Sequence, residues 1–331
     1  MINKIYAKIK KFIKENYKFI IILIVIYIVF TFPLPYYIYN GGGIISLNDR
    51  INVNESHNKT NVNMCYVNQL KGNVATFLFS YIIPHWDIEK IEDKDYNFDE
   101  ELYRNKILLE ESINNATINA YKLSNKKYEI TGEKVLVSYV FDEAKTDLKV
   151  GDQILKVNNK IIHNTEEYRQ IIENSNVGDE LEIEVLYKDK KETRKAKVIE
   201  LESKKITGIG VVTNYNINTI PNLEIDFKAN ESGPSGGLIL ALGIYEKLNN
   251  VNLYNNKKIC GTGTIDSEGN IGEIGGVKYK LRGAVSNNCD IFLAPTDNFE
   301  EVEKEKKENN YDIEIYEAKT LEETINFLNS K

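Results

Sequence analysis

From Phe19 to Ile38 the chain reads FIIILIVIYIVFTFPLPYYI, 20 residues without a charge. As a single helix such a run rises about 30 Å, the thickness of a bilayer's hydrocarbon core, so it predicts a transmembrane helix. No small-x-small cleavage pattern follows it, which argues against a removable leader. Lys4, Lys8, Lys10, Lys11, Lys14 and Lys18 crowd its N-terminal side against Glu15 alone, whereas Asp49, Arg50, Glu55 and Lys59 nearly cancel beyond it. The positive-inside tendency then predicts a cytoplasmic N-terminus, with everything from about residue 39 onward outside the cytoplasm. Tyr36 and Tyr37 would lie at the outer interface.

Behind this run, 331 residues leave room for two or three domains of ordinary size. The formal charge of −7 hides an asymmetry: residues 1–18 carry +5, so the remainder carries −12. An acidic body with a short basic tail excludes nucleic acid as the main partner, because phosphate binding needs clustered Lys and Arg. Cys65, Cys260 and Cys289 have no metal-ligand spacing, and three cysteines cannot all pair within one chain, so neither a disulfide framework nor a zinc site is expected. His57, His85 and His163 stand singly. No cofactor and no metal are predicted.

The pattern divides the chain into a basic tail and anchor over 1–38, a mixed region over 39–130 expected to be a spacer packed on a later domain, and two further domains. Within the spacer, Leu102, Leu109, Ile113, Ala116, Ala120 and Leu123 form a helical stripe. Residues 131–202 read as short strands around one helix: Val135, Val137 and Tyr139 alternate, as do Leu181, Ile183 and Val185. Asn164-Thr165-Glu166-Glu167 supplies capping-box chemistry for the helix that carries Tyr168, Ile171 and Ile172. Residues 203–331 alternate strands and helices, closing on a helix capped at Thr320. The expected class is α+β.

The chemistry concentrates at Glu231 to Tyr245, ESGPSGGLILALGIY. Ser235 sits between Pro234 and two glycines where an apolar helix begins, and proline is tolerated in a first helical turn. A helix start leaves N–H groups unpaired, so a hydroxyl there lies beside donors that could hold an oxyanion. The backbone N–H groups from Gly233 to Gly236 are the candidates. GPSGG also fits the G-x-S-x-G elbow of α/β-hydrolases, which takes its histidine after the serine. No histidine follows His163, so a Ser-His mechanism is excluded in that order. Lysine remains as a base, provided burial lowers its pKa. Lys278 and Lys280 both flank the stripe Val277, Leu281, Ala284, and periodicity does not choose between them.

Two stretches carry family resemblances. DLKVGDQILKVNNKII, Asp147 to Ile162, resembles the signature of bacterial PDZ domains, with Asn159 where glycine is usual. The resemblance implies a domain that takes an extended peptide as an added strand, with Val140 to Glu143 as the candidate carboxylate-binding region. ESGPSGG, the block GTGTIDSEGNIGEIGGVKYKL from Gly261 to Leu281, and DIFLAP from Asp290 to Pro295 together resemble the proteolytic domain of Lon-type serine peptidases. That likeness implies Ser235 as nucleophile, Lys280 as general base and Thr262 as its hydrogen-bond partner, with Gly233 and Gly236 in support. Gly236 replaces the usual alanine, a change expected to be sterically harmless, and Ser232 stands where Lon has aspartate. Asp266 to Asn270 lacks the later glutamate of a calcium loop and reads as a turn.

Anchor, PDZ-like segment and Lon-like domain in this order resemble bacterial membrane-anchored PDZ Lon-like proteases. The implied activity is an ATP-independent endopeptidase acting on unfolded or end-exposed proteins, and no G-x-x-x-x-G-K-[ST] occurs in the chain. Lon-type domains commonly form rings, so homo-oligomerisation is implied as well. The competing reading is a membrane-anchored PDZ adaptor that no longer cleaves.

Overall fold

Pro33 and Pro35 decide how the apolar N-terminal run folds. In the computed structural model, which describes residues 2–91, 98–228 and 231–331, helix α1 spans Ile2–Thr31 and the chain then enters strand β1, Pro33–Ser46. Proline lacks the N–H that a helix interior needs and pushes its predecessor toward extended backbone. The expected 20-residue transmembrane helix is therefore corrected. Its helical part, Phe19 to Thr31, is 13 residues long, roughly 20 Å of rise. Ile38 is fully buried in the sheet. Among the described residues no helix is long and apolar enough to cross a membrane.

β1 starts a mixed six-stranded sheet. It pairs antiparallel with β3 (Val62–Asn73) and β4 (Asp87–Lys90). On the other side of β3, β14 (Ile259–Gly261), β17 (Ile291–Pro295) and β18 (Glu314–Ala318) follow in parallel. Parallel neighbours need crossovers, and the helices supply them. α6 (Val277–Ser286) lies between β14 and β17, and α7 (Thr296–Glu308) between β17 and β18. α5 (Gly237–Asn249) is apolar all round and correspondingly buried, with Leu238, Ile239, Leu240, Leu242 and Ile244 at most 1% exposed. α8 (Leu321–Asn329), capped by the Thr320 hydroxyl as expected, closes the core.

The region 39–130 does far more than space two domains. It provides β1, β3 and β4, and also β2 (Ile51–Val53), which pairs with β13 (Leu223–Ile225) just upstream of the serine turn. α2 (Val74–Ser80) follows β3, and α3 (Phe98–Leu123) packs on α5. Ala116, Ala120 and Tyr121 of α3 share one core with Leu238, Ile239 and Leu242. Local pattern gave no sign of this, because the partners lie more than 100 residues away in sequence.

The smaller unit is inserted between α3 and β13. β5 (Lys127–Val140), β6 (Gln153–Val157), β7 (Lys160–Ile161), β8 (Glu180–Tyr187) and β9 (Lys190–Lys197) are joined by β12 (Ile209–Ile220) in an antiparallel sheet ordered β12-β5-β6-β8-β9, with β7 on β6. α4 (Thr165–Asn174), capped by Asn164, covers it through Tyr168 and Ile172. A ribbon of β10 (Ile199–Leu201) and β11 (Lys204–Ile206) precedes β12. The unit extends past the expected boundary at 202, because β12 pairs with β5 over its whole length.

Candidate active site

Ser235 occupies a turn immediately before α5, so Pro234 precedes the helix instead of opening its first turn. The turn is held at several points. Arg50 donates to Glu231 from Nε (3.0 Å) and Nη2 (2.7 Å), and the Lys228 N–H donates to the same carboxylate. Burial alone would raise the pKa of Glu231, but these bonds outweigh it and hold the carboxyl below its ordinary range. The Gly233 N–H donates to the Asn105 carbonyl of α3 at 3.1 Å, and Ser112 Oγ of α3 donates to the Pro234 carbonyl at 3.2 Å. Gly233 has φ +100°, where a side chain is strained although nothing lies within 4 Å of its Cβ position. Its glycine is therefore a backbone requirement.

Of the expected oxyanion donors, the Gly233 N–H is thus occupied and Pro234 has none. Among the described residues the N–H groups of Ser235 and Gly236 have no backbone acceptor. At Gly236, where the family alanine is replaced, a Cβ would stand 2.1 Å from Met64 Sδ of β3. Met64 fills the space that an alanine methyl would need. Ser232 is exposed.

Thr262 links serine and lysine. The Ser235 carbonyl accepts from the Gly263 N–H at 2.8 Å and from Thr262 Oγ1 at 2.8 Å, and Lys280 Nζ donates to Thr262 Oγ1 at 3.0 Å. Lys280 is 4% exposed and Thr262 fully buried. Burial lowers the Lys280 amine to about 8, against a small opposing effect of the nearby Cys65. Burial pushes the Cys65 thiol up to about 12, so it is neutral. Among the described residues no hydrogen bond joins Ser235 Oγ directly to Lys280 Nζ.

Tertiary structure gives different surroundings to the two lysines that helical periodicity left equivalent. Lys278 is 35% exposed and pairs with Asp87 of β4 at 2.8 Å. A half-exposed pair of this kind contributes about 0–1 kcal/mol. Lys278→Ala is accordingly expected to leave peptide hydrolysis within about twofold of the parent, and a loss as deep as that of Lys280→Ala would move the base to Lys278.

One sequence expectation about cysteine is overturned. Cys260 and Cys289 form a disulfide, with Cys65 free and buried. Their separation of 29 residues gave no signal, but β14 and the turn after α6 bring the two Cα atoms to 5.9 Å. The bridge spans from two residues before Thr262 to three beyond α6, the helix of Lys280. Among the described residues no group of three His, Cys, Asp or Glu side chains could hold a metal. Asp266 accepts from the Glu268 and Asn270 N–H groups, as a turn does.

In the inserted unit, a groove of about 590 Å³ runs between α4 and the open edge of β12. Tyr168, Arg169 and Ile172 face Ile206, Thr207, Ile209 and Val211 across it. The expected carboxylate region, Val140 to Glu143, is not its lining; Val140 is paired with Ile209, and the Phe141 N–H donates to the Gly208 carbonyl. Lys205 Nζ donates to the carbonyls of Glu173 and Ser175, tying β11 to the end of α4. No local pattern announced the 206–211 segment, since its role depends on an edge formed with β5.

Two stretches of the chain match known families. Residues 121–198 match the family model of the PDZ domain, and residues 227–330 that of the Lon protease (S16) C-terminal proteolytic domain. Lon protease 2 of Borreliella burgdorferi is 25% identical over 123 residues, which cover 35% of this chain and 15% of that protein. The crystal structure of the PDZ domain of an SdrC-like protein from Listeria monocytogenes aligns at 25% identity with a TM-score of 0.23, covering 25% of this chain and 93% of that one. The chain is thus an α+β protein in which a PDZ domain is combined with a Lon-type C-terminal proteolytic domain.

Proposed function

We propose that the chain is an ATP-independent serine endopeptidase using a Ser235–Lys280 dyad, with substrates captured in part by the PDZ groove. The observation that carries this reading is the buried Lys280, with its lowered pKa, two hydrogen bonds from the Ser235 carbonyl through Thr262. Neutral Lys280 Nζ takes the Ser235 hydroxyl proton as Oγ bonds to a peptide carbonyl carbon. The tetrahedral oxyanion is held by the Ser235 and Gly236 N–H groups. Collapse expels the amine, which takes the proton from Lys280, and leaves an acyl-Ser235; water, deprotonated by Lys280, then releases the acid and restores the hydroxyl. Thr262 keeps Nζ in place between these steps.

Substrates are unfolded or end-exposed chains, which can add as an extended strand. A substrate's C-terminal segment adds as a strand on the open edge of β12, its carboxylate at the turn from Thr207 to Gly210. Attachment to a membrane is supported by the exposed apolar flank of α1 from Phe19 to Phe30 and by exposed Leu78 and Phe79 of α2 beside it. Location outside the cytoplasm is supported by the Cys260–Cys289 bridge, because disulfides persist in oxidising compartments. A homo-oligomer follows from the Lon-type likeness alone.

A second reading, a non-catalytic PDZ adaptor, is favoured by one observation: Lys280 Nζ bonds Thr262 and not Ser235 Oγ. Labelling of the detergent-solubilised full chain with a fluorophosphonate, with hydrolysis of unfolded casein in parallel, separates the two. The protease reading expects the label on Ser235 and cleavage lost in Ser235→Ala; an unlabelled Ser235 with no cleavage establishes the adaptor.

A further inference from the structure

Beside the nucleophile turn lies a cavity of about 310 Å³ that the catalytic chemistry leaves unused. Its rim comes from both sides of the serine. Pro234 precedes Ser235, and Thr264 follows Gly263, whose N–H holds the Ser235 carbonyl. Leu108, Ile265 and Ile271 furnish apolar walls, and Glu111 of α3 brings in a carboxyl group. Among the described residues Glu111 has neither a hydrogen-bond nor an ion-pair partner. The other acid, Asp266, is committed to the N–H groups of Glu268 and Asn270 and to the Asn270 side chain.

We infer that this cavity is a substrate subsite for a lysine or arginine side chain flanking the scissile bond, with Glu111 as its specificity-determining residue. The inference rests on the protease reading above and names its substrate class. A long aliphatic stem covers Leu108, Ile265 and Ile271 while its cationic end reaches a carboxyl that nothing else in the described chain satisfies. A half-buried carboxyl without a partner is a standing penalty that a cation in the cavity removes. Burial raises Glu111 to about 7, so an approaching cation finds a group that ionises readily near neutral pH. Acidic side chains are rejected by the same carboxyl, and an apolar side chain is admitted only with Glu111 protonated. A cavity of this size takes one side chain, which makes it a determinant of a single position.

The test is cleavage of a mixed peptide library by the detergent-solubilised full chain, with products sequenced by mass spectrometry. One position flanking the scissile bond is expected to favour Lys and Arg over Leu by about tenfold or more. In Glu111→Gln, nearly isosteric, the Lys-to-Leu ratio of kcat/KM at that position falls by about tenfold. In Glu111→Lys the preference turns toward Asp and Glu, a reversal that a merely structural role would not produce. Cleavage with no basic preference, or a preference surviving Glu111→Gln, overturns this subsite and leaves the protease reading intact. No Ser235-dependent cleavage of any peptide overturns the protease reading and the subsite with it.

Discussion

Lys280→Met is expected to abolish proteolysis and at the same time to make the folded chain harder to unfold. The amine is 4% exposed and its pKa falls from 10.5 to about 8 on folding. Below pH 8 both folded and unfolded chains hold the proton, and the folded chain carries it buried. A depression of this size corresponds to about 3 kcal/mol at 1.36 kcal/mol per unit. Because the unfolded state binds more protons between pH 8 and 10.5, stability rises with pH across that window, and the contribution is lost as pH falls through 8. The gain from Lys280→Met is therefore expected at its full size at pH 7, and to shrink as pH approaches 10.5. Urea unfolding of the two chains at several pH values measures it, and an equal or lower stability for the variant at pH 7 would discard the buried-charge argument.

The same pKa sets the rate profile of the parent enzyme. In the proposed dyad only neutral Lys280 accepts the serine proton, so kcat/KM is expected to climb tenfold per pH unit below about 8 and level off above it. Ser235→Ala is expected to lower hydrolysis by about 10⁴-fold or more, as is Lys280→Met. A profile flat from pH 6 to 9 would remove Lys280 as the base.

Reduction of Cys260–Cys289, or its replacement by two serines, is the second large expected effect. The bridge closes a loop with a sequence separation of 29 residues, for which the chain-entropy relation gives about 3–4 kcal/mol. The loss is expected in urea unfolding with and without reductant. Its position adds a catalytic consequence. The closed loop contains both Thr262 and α6, so loosening it lets water reach Lys280 and weakens the desolvation that lowers its pKa. The lower limb of the pH–rate profile should then move from about 8 toward 10.5. Unchanged stability after complete reduction would show the bridge to be energetically idle; unchanged stability of the catalytic pKa alone would confine its role to the fold.

Much of this molecule can be read along the chain. Asn164 and Thr320 cap α4 and α8 because Asx and Thr side chains satisfy unpaired N–H groups within three residues. The alternation of Val135 and Val137, or of Leu181, Ile183 and Val185, gives strands with one buried face. GPSGG before an all-apolar helix puts Ser235 at the mouth of α5. These are rules of short range, and they hold.

What failed or stayed open depends on contacts that no local rule contains. Hydropathy made Phe19 to Ile38 one segment, yet Pro33 and the pairing of β1 with β3 divide it between a helix and a sheet. Residues 39–130 looked like a spacer because β2, β3 and α3 find partners across the whole inserted unit. Met64, which fills the space beside Gly236, and Arg50, which clamps Glu231, reach the serine turn from strands and turns some 170 to 180 residues upstream. Lys278 and Lys280 are equivalent on a helical wheel, and only the packing of α6 against β14 buries one amine beside Thr262 while leaving the other at Asp87. Short-range rules are enough for the elements and for the residue types able to do acyl-transfer chemistry. The tertiary structure decided which lysine is desolvated, which N–H groups remain free and which cysteines meet, because burial and proximity are properties of the assembled core.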